Sequence, residues 1–137
     1  MDFDPKRDYP LGTKRPDLVS TPGGIPLDGV TLEALAAGRI GAGEIRATPA
    51  TLRLQAEVAR AAGRDPLAAT LERAAELAAV PDDLLLAVYT ALRPRRATAS
   101  QLEAWAGQLE SHGAGKSAAF VREAAVAYAE RGLLAHA

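Results

Sequence analysis

Ala74–Pro94 reads AAELAAVPDDLLLAVYTALRP. Leu85, Val88 and Leu92 recur at i, i+3 and i+7, and Leu84 and Tyr89 widen the same apolar stripe, the spacing of one helical face. Pro81 suits a first helical position, where its missing N–H costs nothing. Asp82 and Asp83 then fall in the first turn, where the helix dipole favours negative charge. Pro94 closes the helix by pushing Arg93 out of the α region. Fully burying each large side chain here is worth roughly 1.5–3 kcal/mol. The spacing therefore predicts a core helix, packed by whatever flanks it.

Working upstream, Asp65-Pro66 launches a helix with Leu67, Leu71, Ala74 and Ala78 on its inner face, stopping at Val80 because Pro81 follows. A single helix kinked at Pro81 is the alternative. Thr48-Pro49 is an N-cap followed by proline at the first helical position. The helix it starts runs to about Ala62, with Leu54, Val58 and Ala61 on one face and Gly63 at its end. Thr31 opens a short helix with Leu32, Leu35 and Ala36 on one face and Gly38 as the stop, and Gly41–Glu44 suggests one more turn. Downstream, Arg95–Thr98 is a loop, and Thr98 or Ser100 caps a helix striped by Leu102, Trp105, Ala106 and Leu109. Gly113 and Gly115 break it. A last helix spans about Ser117 to Arg131, with Val121, Ala124, Ala125 and Tyr128 inward, Phe120 beside them and Gly132 at the end.

Residues 1–30 carry Pro5, Pro10, Pro16, Pro22 and Pro26 with four glycines between them, so no helical or strand period survives. Tyr9, Leu11, Leu18, Val19, Ile25 and Leu27 are nonetheless too apolar for a disordered tail. The segment reads as an extended arm that lies either on another body or on its own helices. With no strand pattern, the fold class is all-α: a small open helical bundle over residues 31–137, one domain overall, with an irregular arm over residues 1–30.

The 137 residues suffice for one domain, one that buries about two-thirds of its unfolded surface. Aromatics are only 4% and alanine dominates the apolar set. Such a core is thin, and part of the apolar surface is expected to be buried against another chain. A net charge of −1 gives no global attraction to nucleic acid or to an anionic membrane. The absence of cysteine rules out disulfides and thiolate metal sites and fits a cytoplasmic protein. No run approaches the about 18 apolar residues of a membrane span, and the first residues, MDFDPKRDYP, lack the apolar core of a secretory signal.

Chemistry-bearing motifs are few. Gly113-Ala114-Gly115-Lys116-Ser117 is like the end of a phosphate-binding loop, but the required earlier glycine is Glu110, and a helix rather than a strand precedes it. His112 sits at a helix end, where it suits the last carbonyls, and His136 lies in the C-terminal tail, so no metal-ligand spacing exists. Ser111 and His112 are helix neighbours and do not face each other. Arg93, Arg95 and Arg96 form a basic corner without aromatic interleaving, suited to solvent or to a partner contact. The sequence offers no autonomous active site: no catalytic, cofactor-binding or metal residue is expected.

Several segments together resemble the small (gamma) subunit of coenzyme B12-dependent diol or glycerol dehydratase. They are Asp8-Tyr9-Pro10-Leu11, Thr21-Pro22-Gly23 with Pro26-Leu27, Thr31-Leu32-Glu33, Thr51-Leu52, Gln55-Ala56 and Arg73 to Leu77. The strongest block runs from Val80-Pro81-Asp82 through Tyr89 to Ala91-Leu92-Arg93-Pro94, and Ala119 to Glu123 with Tyr128 match near the end. The resemblance covers almost the whole chain in order. It implies a hetero-oligomer of large, medium and small subunits, two of each, that converts 1,2-propanediol or glycerol to an aldehyde with loss of water. It also implies that adenosylcobalamin supplies the radical, bound by the other subunits, and that substrate and metal lie on the large subunit. The small subunit would then be non-catalytic and dock on the large one, with Tyr9, Pro10, Tyr89, Arg93, Phe120 and Arg122 as interface or arm-anchoring residues. For the aromatics the alternative is an ordinary core position, and for the arginines a helix-surface charge. Members housed in bacterial microcompartments can carry longer N-terminal extensions than the few residues before Asp8, so encapsulation through this chain is not expected. A free-standing helical adaptor is the alternative function. A nucleic-acid-binding module is disfavoured by the charge balance.

Overall fold

The computed structural model describes residues 2–136. Among them the regular structure is helical, with one isolated bridge between Ser20 and Pro26 in place of any strand. Contacts cluster into two compact units, one ending at Ala78 and one starting at Ala79. No helix among the described residues is long and apolar enough to cross a membrane.

In the first unit, the N-terminal segment is a series of tied turns rather than a fully extended arm. It contains a one-turn helix α1 (Leu11–Lys14) and 3₁₀ turns at Pro16–Leu18 and Leu27–Gly29. Its knot is the Asp8 carboxylate, only 4% exposed. Arg7 donates to it from Nε at 2.7 Å, Arg15 from Nη1 at 3.1 Å and the Asp4 backbone N–H at 3.0 Å. The Arg7 bond first, then the Asp4 N–H and Arg15, hold the Asp8 carboxyl well below the usual carboxylate range. A second tie reaches forward: the Gly23 N–H donates to Glu44 Oε2 at 3.0 Å. Thr21 and that N–H together lower the Glu44 carboxyl as well.

The helix starts follow the capping chemistry of the sequence. Thr31 Oγ1 accepts from the Ala34 N–H and opens α2 (Leu32–Ala36). Thr48 Oγ1 accepts from the Thr51 N–H at 3.2 Å and opens α3 (Pro49–Ala61), with Pro49 first in the helix. α4 (Asp65–Leu77) departs from that pattern. Its cap is Arg64, without a side-chain bond, and Asp65 lies inside the first turn, where its charge faces the helix dipole.

The inward faces are those of alanine rather than leucine. α3 and α4 meet through Ala56, Ala59 and Ala68, with Leu71 packed against them. Ala68 and Ala75, not Leu67 and Ala78, are the buried residues of α4. Leu67 and Ala78 are exposed. Leu71 packs inward as expected, so the buried face of α4 is shifted only in part, toward the methyl groups of Ala68 and Ala75. α2 likewise buries Ala34 and leaves Leu32 and Leu35 outside.

In the second unit, α5 (Asp82–Ala91) begins one residue later than expected. Pro81 is its N-cap, and the Pro81 carbonyl accepts from the Leu85 N–H at 3.0 Å. α4 ends at Leu77 rather than Val80, so the two helices are separate and not one kinked rod. α6 (Ala99–Ser111) starts in a full capping box: Thr98 Oγ1 accepts from the Gln101 N–H, and Gln101 Oε1 accepts from the Thr98 N–H. α7 (Gly115–Arg131) packs along α6 and ends at Gly132, whose φ of 65° suits a glycine. Leu102, Ala106 and Leu109 of α6 and Ala118 and Val121 of α7 are buried there.

Two stability outcomes follow from these packings. Ala68→Leu should overfill the α3–α4 contact and cost about 1–3 kcal/mol, whereas the exposed Ala50→Leu should cost almost nothing. Urea midpoints decide between them, and equal midpoints would show that the alanine contact does not set the helix spacing. Asp8 gives a pH test. A folded carboxyl held below its unfolded value of about 3.9 stabilises above that pH and loses the contribution as pH falls through the lowered value. Asp8→Asn should therefore unfold at lower urea than the parent chain at pH 7, with the gap narrowing toward pH 3.

Candidate subunit interface

The described residues hold no cluster of three His, Asp or Glu side chains able to grip a metal. His112 caps α6, its Nδ1 lying 2.9 Å from the Gln108 carbonyl oxygen. Gly113 makes a left-handed turn with φ of 76°, and Gly115 is already the first residue of α7, so the Gly113–Ser117 stretch forms a helix–helix turn and no phosphate loop. The surface features that remain are grooves and exposed apolar side chains.

Tyr9 and Pro10 follow the Asp8 knot directly and are joined by a cis peptide. Both are exposed. Pro5, Lys6 and Tyr9 line one wall of a groove of about 480 Å³ whose other wall is Val58, Ala62 and Leu71 of the α3–α4 pair. The N-terminal segment thus lies along its own helices, and Tyr9 remains half outside.

The second unit exposes more. α5 buries only Val88 and Ala91. Leu84, Leu85 and Leu92 are half-buried, while Leu86 is 68% and Tyr89 61% exposed. Tyr89 therefore does not extend the inner stripe as the periodicity suggested. Leu86 is the residue that the sequence reading passed over. Its signal was present: three consecutive leucines step around a helix by about 100° each and cannot share one face.

Beside Leu86 runs a shallow groove of about 710 Å³ between α5 and α6, with Ala87, Ala91 and Ala104 lining it, Trp105 half-buried in it and Arg96 at its edge. Arg93, Arg95 and Arg96 occupy the α5–α6 turn, exposed and in no ion pair among the described residues. The turn itself is fixed. The Tyr128 hydroxyl donates to the Leu92 carbonyl at 2.5 Å, the Arg95 N–H to Leu133 O at 2.7 Å, and the Ala135 N–H to Ala97 O at 2.9 Å.

On α7, Phe120 is 47% exposed. Arg122 differs from the other candidate arginines because it is engaged within the chain. Its guanidinium donates to Glu103 at 2.8 Å and to Glu110 at 2.6 Å, bracing α7 against α6. The bonds to those two carboxylates hold both of them below their ordinary range.

Of the six candidate residues, Tyr9 and Pro10 belong to the first unit and Tyr89, Arg93, Phe120 and Arg122 to the second. What the chain offers is apolar side chains and arginines on fixed backbone, with no reacting group among them. The family described as dehydratase small subunit matches residues 5–135. The propanediol dehydratase small subunit of Citrobacter freundii is 54% identical over 125 residues, spanning 90% of this chain and 73% of the relative. That of Salmonella typhimurium is 53% identical over 125 residues, spanning 90% of this chain and 72% of the relative. A match over nearly the whole chain, with more than half of the aligned residues shared with two such subunits, leaves one assignment: the chain belongs to the dehydratase small-subunit family.

Proposed function

We propose that the chain is the non-catalytic small subunit of an adenosylcobalamin-dependent diol dehydratase, the enzyme that turns a 1,2-diol into an aldehyde with loss of water. The observation that carries this reading is the identity of more than half over 125 residues to two propanediol dehydratase small subunits. 1,2-Propanediol is accordingly the first substrate to test, with glycerol beside it. The chain's role is to cover and hold the large subunit in a cytoplasmic complex containing two copies each of large, medium and small chains. Substrate, metal and adenosylcobalamin belong to the other subunits.

The exposed candidates supply the contact chemistry. Tyr9, Tyr89 and Phe120 bring large amphipathic or apolar area, and Arg93 brings a cation suited to an interface carboxylate. Pro10 holds the backbone beside Tyr9, and Arg122 acts from behind, keeping α7 aligned with α6 through its two glutamates.

Co-expression with the large and medium subunits, then size exclusion and aldehyde formation on 1,2-propanediol and on glycerol with added adenosylcobalamin, tests the proposal. Co-elution of all three chains, with activity that falls when this chain is omitted, is the expected result. Separate elution with full activity in its absence would instead favour a free-standing helical adaptor.

A further inference from the structure

The α5–α6 groove combines three properties. It is lined by small side chains, Ala87, Ala91 and Ala104, so a partner backbone can come close. It carries large apolar groups at its sides, Leu86 and the half-buried Trp105. Arg96 lines it, next in sequence to Arg95 and close to Arg93; none of the three has an ion-pair partner among the described residues, and no acidic side chain lines the groove. Tryptophan and arginine are the residue types that most often dominate interface energies, and solitary cations beside apolar surface call for an anionic group on whatever covers them.

We propose that this groove is a docking site for a segment of the large dehydratase subunit that presents apolar side chains followed by a carboxylate, the apolar part against Leu86 and Trp105 and the carboxylate on Arg96 and its neighbours. This rests on the subunit reading above and adds to it a location and a partner chemistry. The arginine end is preorganised. Arg95 has a positive φ of 62° and its N–H is bonded to Leu133, while the Ala97 carbonyl is bonded to Ala135. Little backbone freedom is therefore left to lose when the partner arrives. Asp82 and Asp83 lie at the opposite end of α5, so the charge along the helix is polar and sets the direction in which such a segment lies.

The test uses the full chain and the co-expressed large and medium subunits. Binding of the unmutated chain is compared with Leu86→Glu, with Arg96→Glu, with the two combined, and with Ala104→Arg, an independent change that obstructs the groove from an exposed helical position. Ala129→Glu, exposed on α7, serves as the charge-matched control, and melting curves verify that each variant is folded. Each groove change should weaken binding about tenfold and the double change about 100-fold, with the control unaffected. Binding by the double variant and by Ala104→Arg within about threefold of the parent would overturn the docking site while leaving the subunit assignment intact. Failure of the unmutated chain to bind at all would overturn the subunit reading and this site with it. Self-association of the isolated chain that the double change abolishes, with subunit binding retained, would give the groove to a second copy instead and likewise overturn the proposal.

Discussion

Close contact through alanine is the constraint on which the structure depends. Ten of the eighteen buried apolar residues among those described are alanines. An alanine contributes little apolar area, so each contact stabilises through proximity of backbones and many small dispersion terms rather than through large buried side chains. The α3–α4 pair shows the geometry, with Ala56 and Ala59 facing Ala68. Around Ala106 and Ala118, both fully buried, the α6–α7 pair repeats it. Leucine is still buried at Leu54, Leu102 and Leu109, but other long side chains lie outside: Leu67 on α4, Leu86 and Tyr89 on α5, Phe120 and Val126 on α7. A thin core and an apolar exterior are thus two aspects of one choice, and the second is what a subunit needs from its surface.

Polar ties compensate where the core is thin. The N-terminal segment buries Leu11 but few other large groups, and it is held by the Asp8 knot and by the Glu44 bonds to Gly23 and Thr21. Both carboxylates are lowered by hydrogen bonds to the charged form, so their ties operate across the neutral range and are lost in acid. In the second unit the same role falls to neutral groups, the Tyr128 hydroxyl and the backbone of Leu133 and Ala135. Each tie fixes a stretch that carries exposed candidates, Tyr9 and Pro10 in one case and Arg93 to Arg96 in the other.

This arrangement explains which parts of the structure were legible in the sequence. Several helix ends were, because caps are local chemistry: Thr48 with Pro49, Thr98, and the glycines at 63 and 132 sit where their types demand, whereas both ends of α4 and the starts of α5 and α7 differ from the reading. The stripe of α6 was also legible, since Leu102, Ala106 and Leu109 combine size and spacing on one face. The faces of α2, α4 and part of α5 were not. A periodicity argument assigns leucine to the inside, and in a self-sufficient domain that is sound. Where alanine makes the contact, size no longer marks the interior, and both AATLERAAEL and DDLLLAVYTA read equally well in two rotations. The contact surface was only partly legible, since a single exposed leucine has no motif.

The α5–α6 turn shows specific local demands of its own. Arg95 adopts a left-handed backbone that costs a non-glycine residue about 1–3 kcal/mol. A glycine would remove that cost, as it does at positions 38, 63, 113 and 132, all left-handed and all glycine. At position 95 the side chain is retained instead, and the conformation is held by the bond from its own N–H to Leu133 and by those joining Tyr128 to Leu92 and Ala135 to Ala97. The strain is local, the bonds that hold it reach across thirty or more residues of sequence, and their joint effect is a fixed platform for three arginines that have no ion-pair partner among the described residues. That combination has a physical rationale in the docking proposed for the α5–α6 groove, where the partner supplies the negative charge.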